Sequence, residues 1–539
     1  MGKKTIGSIN KWWALVAVCF GLFMSILDIT IVNVALPTIQ KSLNASFSEL
    51  QWVIDAYTLT FAVVLVTASR MGDIFGRKKI FIFGLGIFSI GSLLCGLSGD
   101  FSFFGTSNNT TLIISRIIQA IGGAAMMPLS LSIISTVFHG KERGMAIGIW
   151  GGISGVAIAI GPLIGGYLVQ NINWQSIFFI NIPIGVIGII LALWAIPESK
   201  EEKASRFIDI FGLVTFSVCM FCLVLALIQG NTKGWGSSYI ITLFAVALVS
   251  LVVFVIGELK IKHPMIDPRL FKIPSFTGSA IAAFALSAGL YSLFFYLTLY
   301  LQNFLGFDAL AAGIRFLPLS ATVLLGAPIS GKLIDKFGPK WFLVSSLGAL
   351  SVSVFMATRI SPSNTAADWI ILLPTFIIAG IASGMANPPI SALAVGTVSE
   401  SKVGMASGIS NVFRQLGMAF GIAFFGAMLS NHYNSLMQSA VNGLANLPAA
   451  AKEGIMTGVK QAGTIGGSLG LPNTPGYPAF PQAIQDAAHS SFISGTIEVI
   501  IIAGAILLVG AILSAFLIRN KDMVHIKEEA KNLEKETKD

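Results

Sequence analysis

Charge is what this sequence has least of. Only 11% of its 539 residues are Asp, Glu, Lys or Arg, while 54% are apolar; an ordinary soluble domain carries about 25% charge. So few charges exclude a water-soluble fold of this length, because soluble cores stop growing at roughly 250–300 residues. Cysteine is scarce too. Cys19, Cys95, Cys219 and Cys222 all lie in apolar runs, which excludes a disulfide framework and marks them as packing residues. The five histidines, at 139, 263, 432, 489 and 525, are scattered between the apolar runs, so no metal centre is expected. A phosphate-cradling P-loop is missing, and so is a nucleophile–His–acid arrangement. Neither an enzyme nor an ATP-driven machine is expected, and no cofactor. The net charge of +9 would suggest nucleic acid on a soluble protein. Here the basic residues alternate with apolar runs, and no nucleic-acid partner is expected.

What the sequence has in abundance is apolar runs. Fourteen of them, the first at 12–36 and the last at 491–518, approach or exceed the 20 or so residues a bilayer requires. The first contains Asp28 and has no small-residue cleavage site, so it is expected to be a membrane helix rather than a cleavable signal. With the N-terminus placed in the cytoplasm, 26 of the 34 Lys and Arg fall on the cytoplasmic side. Only Lys41, Lys233, Arg359, Lys452 and Lys460 fall outside, and Arg116, Arg315 and Arg414 lie within runs. This is the bias of the positive-inside rule. It predicts a multi-pass protein of the cell membrane with both termini cytoplasmic. The expected organisation is a six-helix bundle over 1–196, then a charged linker with two additional helices over 197–274. A second six-helix bundle follows over 275–518, interrupted by a long outer loop at 431–490, and a charged cytoplasmic tail occupies 519–539.

Two short turns repeat. Ser69-Arg-Met-Gly-Asp73-Ile-Phe-Gly76-Arg77-Lys78-Lys79 follows the second run, and Gly331-Lys-Leu-Ile-Asp335-Lys-Phe-Gly338-Pro-Lys340 follows the tenth. A duplicated unit is one of the transporter architectures. Further motifs stand in order along the chain: Leu27-Asp28-Ile-Thr30-Ile-Val-Asn33-Val-Ala-Leu-Pro37; Arg116-Ile-Ile-Gln119-Ala-Ile-Gly122; Gly148, Ala157, Gly161-Pro162 and Gly165-Gly166; and Gly404-Met-Ala-Ser-Gly with Arg414-Gln415-Leu-Gly417. With these motifs the chain resembles the major facilitator superfamily, specifically its fourteen-span drug/proton antiporters of the EmrB/QacA type. It departs from the usual pattern at Ser69, Ile74 and Ala157.

The resemblance implies an all-α integral membrane protein with the major facilitator fold: two six-helix bundles plus two extra central helices. It implies a monomer that exports small amphipathic or cationic compounds in exchange for protons, driven by the gradient alone. Export of lipids or fatty acids on the same scaffold is the alternative, and a periplasmic adaptor is left open. Asp73, Gly76, Arg77, Lys78, Gly331, Asp335, Gly338 and Lys340 would form a cytoplasmic gate, and Gly148, Gly161, Pro162, Gly165 and Gly166 the antiporter motif.

The residues themselves point to a charged cavity. Asp28, Asp55, Arg116, Arg315, Arg414 and Glu498 lie inside apolar runs, where each would cost at least about 2.5–3.5 kcal/mol unless paired or wet. At about 1.5 Å per residue the three carboxylates, Arg116 and Arg315 fall in one layer of the outer half. Asp28, Asp55, Arg116 and Glu498 are expected to couple protons or hold a cationic substrate. Asn33, Trp52, Tyr57, Arg315, Arg414 and Gln415 are expected to line the cavity.

Overall fold

The computed structural model describes residues 11–43, 45, 47–101, 105–138, 141–199, 209–261, 264, 266–399, 402–443, 452–456, 482–519 and 522. The apolar runs fold as helices because no lipid-exposed backbone group can stay unpaired. The first half is α1 (Lys11–Leu43), α2 (Phe47–Phe75), α3 (Arg77–Leu97), α4 (Asn108–Val137), α5 (Lys141–Asn171), the short α6 (Ser176–Phe179) and α7 (Asn181–Ala195). The additional pair is α8 (Ile210–Lys233) and α9 (Ser238–Lys260). The second half is α10 (Pro274–Leu286), α11 (Ser292–Leu299), α12 (Ala309–Phe337), α13 (Pro339–Met356), α14 (Leu373–Gly396), α15 (Val403–Asn442) and α16 (Gln482–Leu517).

Eleven of the described helices are long and apolar enough to span a bilayer, and α2, bent by 44°, makes a twelfth. The more polar α5 and α12 are 31 and 29 residues long and pack against each other. Fourteen spans are compatible with this set.

Helix starts follow the capping chemistry of short polar side chains. Asp209 accepts from the Gly212 amide at 2.7 Å, Ser237 from Ile240 at 3.3 Å and Asp308 from Ala311 at 2.6 Å. The two repeated turns share one backbone device. Gly76 separates α2 from α3 at φ 116°, and Gly338 separates α12 from α13 at φ 79°. A side chain at either position would strain the turn.

Two large apolar cores form, one from residues of 282–518 and one mainly from residues of 14–276. The second core also takes in Val395 of α14, Val398 of the turn after it, and Val403, Ala406, Ile409 and Val412 from the first part of α15, which ties the halves together at that end. On α9 only 17% of the span is buried, so this helix presents its surface to lipid. Helix α15 runs on to Asn442 and α16 starts at Gln482, so both helices enter the region expected as the loop 431–490. The linker 200–208 and the tail 523–539 lie outside the described residues.

Candidate functional site

The first cluster is built on the inward faces of α1, α3, α4 and α7. Asp28 is wholly buried and Arg116 is 1% exposed. Their side chains form an ion pair from Arg116 Nη1 to Asp28 Oδ2. Gln119, one turn along α4 from Arg116, accepts from Arg116 Nη1 at 2.7 Å and donates to Asp28 Oδ1 at 2.8 Å. Asn181 Nδ2 approaches the same Oδ1 at 3.4 Å, and Ser92 accepts from both Asn181 and Gln119. Arg116 Nε donates to the Val53 carbonyl at 3.3 Å, and its guanidinium lies 4.1 Å from the Tyr57 ring centroid. The pair is thus paired, hydrogen-bonded and stacked, which is what a charge needs to persist away from water.

The second feature is a cavity of about 280 Å³ between the two halves. Ile26, Ile29 and Thr30 of α1 and Trp150 and Ser154 of α5 form one wall. Tyr291, Phe294 and Phe295 and then Arg414 and Gln415 form the other. The facing span is locally widened: π-helical turns occupy Ser287–Tyr291 and Tyr300–Phe304, and Ser287, Tyr291 and Gln302 from them line the cavity. Such turns collect at functional sites because they re-aim side chains. Arg414 Nη1 donates to Asn387 Oδ1 at 2.6 Å, and Asn387 donates to the Tyr291 hydroxyl at 3.2 Å.

The third is a closed contact between halves at the Asp73 end. Asp73 Oδ1 accepts from Arg77 Nε at 3.0 Å and Nη2 at 2.8 Å, and Arg77 Nη1 donates to Thr136 at 2.7 Å. The Asp73 carboxylate abuts Gly404, where an added Cβ would overlap it. Gly404 is the second residue of α15, so a carboxylate meets a helix N-terminus, which favours negative charge. Ser69 donates to the Gly404 carbonyl at 2.7 Å and Ser407 to the Pro128 carbonyl at 3.1 Å. Beside this seal, Lys402 pairs with Asp267 at 2.8 Å. Burial acts to raise the Asp267 carboxyl, but hydrogen bonds from Lys402 and the Arg269 amide, with the charge of both residues, outweigh it and hold the group below its ordinary value.

Several expectations from the sequence place residues elsewhere. Asp28 lies behind the cavity wall rather than in it, and Asp55, half-buried on α2, takes no part in the Asp28 network. Glu498 is 43% exposed and pairs with His432 at 2.9 Å, so three carboxylates do not share one buried layer. Arg315 donates to the Ala311 carbonyl at 2.8 Å and stacks 3.4 Å from the Phe307 centroid, away from the cavity. Trp52 packs by the Leu59 and Val224 cluster, and Tyr57 belongs to the Arg116 network. Lys78 donates to the Leu193 carbonyl at 2.7 Å and Lys340 lies over Trp341. Gly161 and Gly165 seat α5 on Thr30 and Ile31 of α1, with Gly166 also buried. The side chains of Asn33, Gly148, Pro162, Gly331 and Asp335 lie outside the described residues. Sequence reasoning missed Ser92, Asn181 and Asn387 as polar partners. Each is a polar residue within an apolar run, the signal that membrane burial makes costly.

Comparison with known proteins agrees with this architecture. The profile of the Major Facilitator Superfamily matches residues 18–422. The chain is 32% identical over 514 residues to the tetracenomycin C resistance and export protein of Streptomyces glaucescens, covering 94% of this chain and 91% of that one. It is 29% identical to the multidrug transporter protein MdtP of Bacillus subtilis, covering 92% and 91%. The fold matches that of the proton:xylose symporter XylE of E. coli at 14% identity, with a TM-score of 0.58, over 93% of this chain and 94% of that one.

Proposed function

Because the chain belongs to the Major Facilitator Superfamily and is a multi-pass transporter rather than an enzyme, we propose that it exports small amphipathic compounds in exchange for protons. The names of its relatives, a resistance and export protein and a multidrug transporter, support export of drug-like compounds. The observation that carries proton coupling is the Asp28–Arg116 pair. It is fully buried, yet its helix α1 supplies Ile26, Ile29 and Thr30 to the cavity wall. The carboxylate is thus one helix face from the substrate space.

In the described state both Asp28 oxygens accept hydrogen bonds. A proton on Asp28 competes with these donors for the carboxylate, and it releases Arg116 from its counter-charge. Movement of α1 against α4 would change both the cavity wall and the proton site at once, which is the requirement for coupling. One pH unit supplies about 1.4 kcal/mol per proton, and a 100 mV potential about 2.3 kcal/mol per charge. The Asp73 seal is the cytoplasmic gate in this reading, both termini are cytoplasmic, and the monomer in the cell membrane is the working unit.

A second reading, export of lipids or fatty acids, draws on a separate apolar groove of about 520 Å³. Leu223, Leu227, Trp235 and Phe244 of α8 and its partner region face Phe420 and Phe424 of α15 across it. The test of both readings is flux from proteoliposomes under an imposed pH gradient, with neutral drugs, cationic dyes and labelled lipids as cargo. Asp28→Asn is expected to abolish gradient-driven drug flux, read on protein whose helicity and monodispersity are checked first because the variant strands Arg116. Wild-type gradient-dependent flux in that variant would refute the coupling role, and gradient-driven flux of lipid alone would favour the second reading.

A further inference from the structure

We infer that the cavity between the halves selects aromatic compounds bearing an anionic acceptor group, such as a carboxylate, and that Arg414 receives that group. This rests on the export reading, and it names the cargo class. The argument begins with charge. Among the described lining residues Arg414 is the only charged one. Of the three carboxylates expected in the charged layer, Asp28 and Glu498 are committed to Arg116 and His432, and Asp55 is not among the residues that line this cavity.

Arg414 is incompletely satisfied. Its Nη1 has one neutral acceptor, Asn387 Oδ1, and its Nη2 is buried without a hydrogen-bond partner among the described residues. A guanidinium in a low-dielectric space with no counter-ion is unfavourable, and an anionic occupant would remove that cost. Two further lining residues point the same way. Ser287 Oγ and Asn411 Oδ1 are buried and unpartnered among the described residues, so the site keeps polar capacity in reserve beside the cation.

The rest of the wall fits the rest of such a molecule. Trp150, Tyr291, Phe294, Phe295 and Phe316 offer aromatic faces, which stack on flat rings. Those faces alone would also attract a cation. Arg414 opposes it, and in a poorly screened interior the full charge outweighs a ring quadrupole because Coulomb energy falls off more slowly with distance. Hydrogen-bond geometry adds direction: the guanidinium fork matches a planar carboxylate.

The test uses the full chain purified in nanodiscs and three probes on one ring system: anthracene carboxylate, anthracenylmethanol and anthracenylmethylammonium. Equilibrium binding is measured for wild type, Arg414→Gln and Arg414→Lys, each checked for helicity and monodispersity. Wild type is expected to bind the carboxylate roughly tenfold or more tightly than the alcohol, with the ammonium weakest. Arg414→Gln is expected to erase the carboxylate's advantage and leave the alcohol nearly unchanged, while Arg414→Lys keeps part of it. An ammonium probe that binds as well as the carboxylate, a carboxylate that does not bind, or a preference that survives in Arg414→Gln would overturn the assignment. If the Gln variant does not fold, the wild-type ranking and the Lys variant still decide. Flux of the same probes separates the two claims. Arg414-dependent binding without gradient-driven flux refutes export and leaves the site standing; gradient-driven flux with the ammonium preferred refutes the site and leaves export standing.

Discussion

Arg116 in the first half is fully buried and Arg414 in the second is part-buried, and the two are treated differently by their surroundings. Arg116 in the first half has an ion pair with Asp28, acceptors on Gln119 and Val53, and the Tyr57 face beneath it. Arg414 in the second half has Asn387 and an unpaired second terminal nitrogen. A compensated charge turned away from the cavity is suited to switching, because breaking it needs a proton. An uncompensated charge on the cavity wall is suited to recognition, because a ligand completes it. On the proposed reading the two halves carry separate tasks, coupling at the Asp28–Arg116 pair and recognition at Arg414.

The comparison breaks most visibly if the compensated side is cut. Arg116→Ala leaves Asp28 buried with only neutral donors, and removing one partner of a buried pair costs about 3–5 kcal/mol. The expected result is a large loss of thermal stability in detergent, partly restored by combining Arg116→Gln with Asp28→Asn. Arg414→Gln is expected to cost far less stability, because Arg414 has no ion-pair partner to strand among the described residues. Equal destabilisation by the two single variants would erase the distinction drawn between the halves.

Asp73→Asn tests the contact that joins the halves. It keeps the shape of the side chain but removes the buried partner of Arg77, so it is compared with the double variant Asp73→Asn, Arg77→Gln, in which no charge is stranded. Both variants remove the charge facing the N-terminus of α15, a favourable interaction of about 0.3–1 kcal/mol. Turnover in proteoliposomes is expected to fall roughly two- to fivefold, the same energy expressed as a rate, with binding of cavity ligands unchanged. A shift in binding with turnover intact would place Asp73 in the recognition machinery instead.

How far the sequence carried these distinctions differs by residue. Asp28 and Arg116 were legible as members of one charged layer because a charged residue in an apolar run must find a partner, whereas Gln119 was visible only as part of the motif that follows Arg116. Which way each helix face turns was not legible, since that depends on packing such as Gly161 and Gly165 against Thr30 and Ile31. Glu498 was misplaced for a specific reason. Hydropathy marks where lipid begins, while a helix can continue past it. Helix α15 has 40 residues, about 60 Å at 1.5 Å per residue, twice the thickness of a hydrocarbon core of about 30 Å. The length of α15 and α16 lets the two helices bring His432 to Glu498, where both side chains are partly exposed. The repeated Asp-x-x-Gly turns were fully visible, because only glycine suits the positive φ at Gly76 and Gly338. The partnership of Asp73 with Gly404 was not, since it joins residues from opposite halves.

The smallest effect is expected where charge meets water. Asp267 pairs with Lys402 beside the Asp73–Gly404 contact, and the lysine side chain is 40% exposed. Exposed pairs contribute about 0.2–1 kcal/mol, against the several kcal/mol of a broken buried pair, so this bridge is the solvent-side control for the comparison. Its pH dependence has a definite sign. The Asp267 carboxyl is held below its ordinary value in the folded protein. Its contribution is therefore complete above the ordinary carboxylate pKa of about 3.9 and is lost as pH falls through the lower folded value. Asp267→Asn should lower thermal stability slightly at neutral pH, and the difference from wild type should shrink as the pH is taken below the carboxylate range. It should also shrink in high salt, which screens an exposed pair but leaves the Asp28–Arg116 pair intact. A salt-insensitive loss of several kcal/mol in Asp267→Asn would mean that this bridge, and not only Asp73, closes the seal between the halves.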